Sequence, residues 1–135
     1  FTTMKLALDS TIERAIEVRR HLVLEGVHVV PTELDLEQVA HKAVVVPIML
    51  ASMKKEMLGR QLKRRGTENG QRGARNQLDN LDDIWELQSW LLDEADNAGI
   101  RIIENWCIEE AASIALKYII RVLQKHFPPL PDDEI

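Results

Sequence analysis

Short apolar runs set between long stretches of helical periodicity are what most constrain the fold of this chain. Val44-Val45-Val46, Pro47 and Ile48-Met49-Leu50 form one run, Ala43 to Leu50, and Ile100 to Glu104 forms another. Between them the spacing predicts a helix from Ser52, with Met53, Met57, Leu58 and Leu62 on one side, that breaks at Gly66. A second helix follows, in which Leu78, Leu81, Ile84, Trp85, Gln88, Leu91, Leu92 and Ala95 share one face. Gly99 stands where a helix C-terminal glycine belongs. Strands separated by helices point to an α/β fold with a short parallel sheet.

The flanks extend this pattern. Ser10 with Glu13 reads as a capping box, and Leu8, Ile12, Ala15 and Ile16 predict a helix to about Arg20. His21 to Val30 reads as a buried strand: Leu22-Val23-Leu24, then Glu25-Gly26, then Val27-His28-Val29-Val30, stopped by Pro31. Thr32 to His41 is expected to hold a short helix. A final helix is predicted over Glu109 to His126, with Ala112, Ala115, Leu116, Ile119 and Leu123 inward, before Pro128, Pro129 and Pro131. Pro47 inside a strand argues for an edge position or a bulge. Three strands make a narrow sheet for a doubly wound domain, so further strands are expected outside this chain.

A hydrophobic fraction of 45% and a charged fraction of 29% are those of a globular protein rather than a disordered one. The longest uncharged stretch, Ala43 to Met53, is too short to span a bilayer and carries Pro47. Lys5, Asp9, Glu13 and Arg14 interrupt the N-terminus too early for a signal peptide. One cysteine, Cys107, cannot form an internal disulfide, and a cytoplasmic location is expected.

The net charge of -5 hides a concentration of positive charge. Lys54, Lys55, Arg60, Lys63, Arg64, Arg65, Arg72 and Arg75 face only Glu56 and Glu68 between residues 54 and 75, leaving that stretch at +6. The stretch is either a solvated helix face or the seat of an anion. Arg60 and Arg64 are one turn apart, and Arg72 and Arg75 lie beside Gly70 and Gly73. Guanidinium groups on a basic helix leading into a glycine loop suit the charge of a transferring phosphoryl group and a closing lid. Phosphate contacts to nucleic acid would use the same residues, but the stretch has no aromatic residue for base stacking and the rest of the chain is acidic.

Glu25 and His28 are the other candidates. A carboxylate at the end of a buried strand points into the crevice where open α/β sheets take ligands, and His28 can donate to an anion. The plainer alternative is that Glu25 caps a helix and His28 is a satisfied core residue. Neither GxxxxGK[ST] nor GxGxxG occurs anywhere in the chain. His21, His28, His41, His126 and Cys107 show no metal-ligand spacing, so no metal ligands are assigned.

Taken in order, Thr11-Ile12-Glu13-Arg14-Ala15, then Leu22 to Pro31 with its Glu25-Gly26-Val27-His28, then Arg60, Arg64 and Arg72 make a recognisable series. It continues through Leu78 to Ala95, with Ile84 and Gln88, to Ile102-Ile103-Glu104-Asn105. From Leu8 to Leu123 this resembles the C-terminal part of the 2-phosphoglycerate kinase family, P-loop kinases that use ATP and Mg²⁺. The resemblance implies a partial P-loop kinase-like three-layer α/β/α domain over residues 1–127, with a lid at about 52–77 and an acidic Pro-rich tail at 128–135. It implies catalytic roles for Arg60 and Arg64. Glu25, His28, Arg72 and Arg75 would bind a small phosphorylated acid such as 2-phosphoglycerate, and Asn105 the nucleotide.

Two departures stand out: Gly73 replaces an expected proline and Gln77 an expected aromatic. The Walker A strand, loop and helix are absent. The expectation is therefore the C-terminal portion of an ATP-dependent small-molecule kinase, inactive alone, or else a non-catalytic binding or regulatory module using Arg60 to Arg75. A sheet missing its neighbours is also expected to self-associate through an exposed edge.

Overall fold

The computed structural model describes residues 2–69 and 78–129. They fall into two compact units, one of residues 1–47 with 122–135 and one of residues 48–121.

The first unit opens with helix α1, Thr2–Glu17. Its inward side carries buried Leu8 and half-buried Ile12, Ala15 and Ile16, as the spacing requires. Its surface is braced by Lys5 to Asp9 at 2.6 Å, one turn apart, and by Arg14 to Glu17 at 3.3 Å. The helix closes when Arg20 N–H donates to Ala15 C=O at 3.0 Å, with Arg19 left-handed at φ 53°. Ser10 lies inside α1 rather than at its start, so the expected capping box does not form: the residues before it continue the helical run.

The predicted buried strand from His21 to Val30 is not formed. These residues are irregular, and Leu22, Val23 and Val27 are exposed, Val23 at 89%. Apolar β-branched residues favour extended backbone, but a strand exists only where a neighbour takes its N–H and C=O groups. A turn at Gly26 (φ 144°), closed by Val29 N–H to Gly26 C=O at 3.1 Å, leads to buried Val30. After a 3-10 helix, Pro31–Glu33, and buried Leu34 comes α2, Leu36–Ala40. Asp35 caps it, its Oδ1 accepting from Gln38 N–H at 3.1 Å.

The second unit holds strand β1, Ile48–Ala51, helix α3, Lys55–Asn69, helix α4, Leu81–Asn97, strand β2, Arg101–Glu104, and most of helix α5, Ile108–His126. β1 and β2 are parallel, with Ile48 opposite Arg101, Met49 opposite Ile102, Leu50 opposite Ile103 and Ala51 opposite Glu104. The α/β class and the short parallel sheet stand, with two strands among the described residues instead of three. β1 begins after Pro47 and not at Ala43, because proline offers no N–H to a ladder.

Ala51 and Ile103, both 2% exposed, centre the core, with Leu62, Ala95, Ile100 and Ala111 around them. α4 packs on both strands and on α3. Gly59 lets the two helices meet, since a Cβ there would stand 3.2 Å from Leu81 Cδ2. Lys55 at the start of α3 also pairs with Asp82 of α4. Gly99 (φ 64°) ends α4, and Ile100 N–H reaches back to Ala95 C=O at 2.8 Å.

On α5 the apolar arc is wider than the face that is covered. Ala111 is buried and Ala115, Tyr118 and Ile119 are half-buried, while Leu116, Ile120, Leu123 and Phe127 are exposed. Of the residues predicted to point inward, Ala112, Leu116 and Leu123 do not.

Candidate functional site

The carboxyl ends of parallel strands leave backbone groups that the next turns must satisfy, and in α/β sheets this edge is where ligands sit. Here the edge is built by Ser52, directly after β1, and Asn105, directly after β2. Asn105 N–H donates to Ala51 C=O at 2.8 Å, prolonging the ladder by one bond. Ser52 is only 4% exposed, and every polar group it has is engaged. Its N–H donates to Gln88 Oε1 and its C=O accepts from Gln88 Nε2, both at 2.9 Å. Its Oγ donates to Gln61 Oε1 at 2.8 Å. Gln61 Nε2 then donates to Asn105 C=O, closing a circuit from one strand end to the other. With both main-chain groups of Asn105 committed to the fold, only its side-chain amide is left for a ligand.

The next turn of α3 brings charge to the same edge. Arg64 acts on Glu109 in the first turn of α5. Glu109 titrates below the ordinary carboxyl value of 4.5, chiefly because the Cys107 thiol donates to its Oε2 at 3.1 Å. Its own backbone N–H adds to the effect, burial opposes it, and Arg64 contributes least. Cys107 thus caps a carboxylate. Arg60 and Arg64 are both exposed on α3.

Glu25 and His28 are exposed and flank the Gly26 turn in the first unit. Gly26 is there for its backbone angle, and nothing lies within 4 Å of where its Cβ would be. Arg72 and Arg75 lie outside the described residues, as do Gly73 and Gln77. The second unit therefore joins the ends of both strands through Gln61, and Arg64 follows three residues further along α3. No group of three or more His, Cys, Asp or Glu among the described residues could hold a metal ion. A shallow recess of about 360 Å³ at the opposite end of β2, lined by Asp96, Arg101 and Tyr118 among others, holds none of the predicted residues.

Sequence reasoning passed over Ser52 and Gln61, and it used Gln88 only as part of a pattern. The signal was present: Gln61 and Gln88 interrupt the apolar faces formed by Leu58 and Leu62 and by Ile84 and Leu91. An amide on a packed face needs partners there.

Three archaeal proteins described as 2-phosphoglycerate kinases are similar to this chain. The one from Pyrococcus furiosus is 26% identical over 115 residues, which is 85% of this chain and 36% of that protein. The one from Pyrococcus horikoshii is 26% identical over 120 residues, covering 89% and 38% respectively. That from Methanopyrus kandleri is 24% identical over 120 residues, covering 89% and 37%. The relation is distant but extends over most of the chain, which spans a little over a third of the length of the curated relatives it matches. No family model matches the chain, and no solved structure does. The P-loop that the resemblance implied is overturned for this chain. Its sequence has no GxxxxGK[ST], and the turns from β1 to α3 and from β2 to α5 contain no glycine. Among the described residues no helix is long and apolar enough to cross a membrane.

Proposed function

We propose that this chain corresponds to the C-terminal portion of an ATP-dependent small-molecule kinase resembling 2-phosphoglycerate kinase, which transfers a phosphoryl group to a phosphorylated hydroxy acid in the cytoplasm. One observation carries the reading: Gln61 of α3, three residues before Arg64, bonds to the ends of both parallel strands, at Ser52 and Asn105, in a chain distantly related to such kinases. In this reading Arg60 and Arg64 balance the charge that spreads over the oxygens of the transferring group. The resemblance assigns Glu25, His28, Arg72 and Arg75 to the acidic acceptor and the side chain of Asn105 to the nucleotide. Mg²⁺ would arrive on the nucleotide phosphates, since the described residues build no cage for it.

The chain by itself lacks the backbone cradle that grips the outer phosphates of ATP, so it is expected to bind more readily than it catalyses. That same lack favours a second reading, a non-catalytic module that takes a phosphorylated acid through Arg60 to Arg75. Among the described residues β1 and β2 have one strand neighbour each, and pairing of a second copy at an open edge belongs to either reading.

Calorimetric titration of the full chain with 2-phosphoglycerate and, separately, with Mg-ATP tests these readings. Saturable binding of both, weakened about tenfold by Arg64→Ala, the loss of one charge-assisted contact, supports the kinase reading. Binding of the acid alone supports the module. Failure to bind either, or indifference to both Arg60→Ala and Arg64→Ala, refutes the two together. Binding of oligonucleotides with a steep salt dependence would replace them with nucleic-acid recognition.

A further inference from the structure

The amide of Gln61 is the meeting point of three elements. It stands half-buried on α3, accepts from Ser52 Oγ at the end of β1, and donates to Asn105 C=O beyond β2. Three residues further along the same helix, and so on the same side of it, comes Arg64. Arg64 also acts on Glu109, in the first turn of α5, through charge alone and as the least of the influences on that carboxyl.

We infer that Gln61 is a positioning residue: by gripping the ends of both strands it fixes where Arg64 stands along the edge of the sheet, and through Arg64 it governs the binding of a phosphorylated acid there. The ligand half of this statement rests on the function proposed above; the placement of Arg64 does not. Apolar packing alone leaves α3 some freedom to slide or roll, because dispersion contacts are not directional. Leu62, 6% exposed, keeps the helix docked. The two hydrogen bonds of Gln61 add direction, and directed contacts are what a bidentate guanidinium needs, since a misplacement of about 1 Å can cost two orders of magnitude at a reacting centre.

The test uses the full chain, its variants Gln61→Ala and Arg64→Ala, and the double variant. Two readouts are taken: affinity for 2-phosphoglycerate at fixed ionic strength, and the titration of the Glu109 carboxyl followed by NMR. Gln61→Ala is expected to weaken binding about tenfold in the parent chain and to add nothing in the Arg64→Ala background, as for residues acting through one group. The Glu109 titration is expected to move up slightly in Gln61→Ala, by no more than it moves in Arg64→Ala, with the Cys107 contribution retained. Losses that add in the double variant, or a Glu109 titration unmoved by Gln61→Ala, overturn the inference. If the parent chain binds no 2-phosphoglycerate, the proposed function fails and the ligand half with it, while the titration still decides whether Gln61 places Arg64. Should alanine unfold the unit, Gln61→Met keeps the length of the side chain without its hydrogen bonds and without a new charge, and gives the same two readings.

Discussion

Replacing Gln88 tests how the turn after β1 is held. The side chain satisfies both main-chain groups of Ser52, at 2.9 Å each, and Ser52 is 4% exposed. Gln88→Leu fills similar space and abandons both groups where water has little access. Each orphaned group costs about 1–3 kcal/mol, so the variant should lose roughly 2–6 kcal/mol. That is a large share of the about 5–15 kcal/mol that holds a typical domain together. Gln88→Ala opens room for water and should lose less. Gln88→Glu separates the two bonds. Its carboxylate still accepts from Ser52 N–H but faces the lone pairs of Ser52 C=O, whereas the protonated acid can donate there as the amide does. Folding therefore favours the protonated form and raises the carboxyl pKa of this variant above its unfolded value. The stabilising contribution is then full below the unfolded value and lost as pH rises through the folded one, so its deficit against the parent should grow toward neutral pH. All three tryptophans, Trp85, Trp90 and Trp106, lie in the second unit, so their fluorescence during urea unfolding reports on this unit alone. A Gln88→Leu loss below about 0.5 kcal/mol, within the range of ordinary surface substitutions, would refute the reasoning. So would a Gln88→Glu deficit that ignores pH.

Other consequences can be measured on the same samples. Ile103→Ala removes the most deeply buried side chain of the second unit and should cost about 2–5 kcal/mol by urea unfolding, against about 0.5–1.5 kcal/mol for Ile103→Val. Glu109 is held below its ordinary value, so its contribution is present above the unfolded carboxyl range and disappears as pH falls through the lowered folded value. Cys107→Ala, which removes the largest cause, should bring the Glu109 titration seen by NMR back toward 4.5, and an unchanged titration would exclude the thiol as the cause.

What the sequence disclosed and what it hid follow from how local each signal is. α3, α4 and α5 repeat their apolar residues along one face, and Gly99 ends α4 as its position suggests, because these are properties of neighbours in the chain. The run from Leu22 to Val30 carries the same residue types as a strand, yet pairing is decided by a partner distant in sequence, and here no ladder forms. Ser10 and Glu13 have the spacing of a cap, but a cap needs a chain that is not already helical, and α1 begins earlier. At the site, the charged Arg64 and the polar Asn105 were legible as candidates. The amides of Gln61 and Gln88 carry no motif, and their meaning depends on Ser52 and Asn105 being brought together by the parallel strands.

The uncovered flank of α5 has a practical side. Leu116, Ile120, Leu123 and Phe127 present a greasy ribbon to water in the native state. Environment-sensitive dyes, which brighten on contact with such surface, should adhere before any heating begins. Melting curves recorded with them would start bright and show a muted rise, so intrinsic fluorescence or calorimetry is the sounder gauge of this protein's heat tolerance.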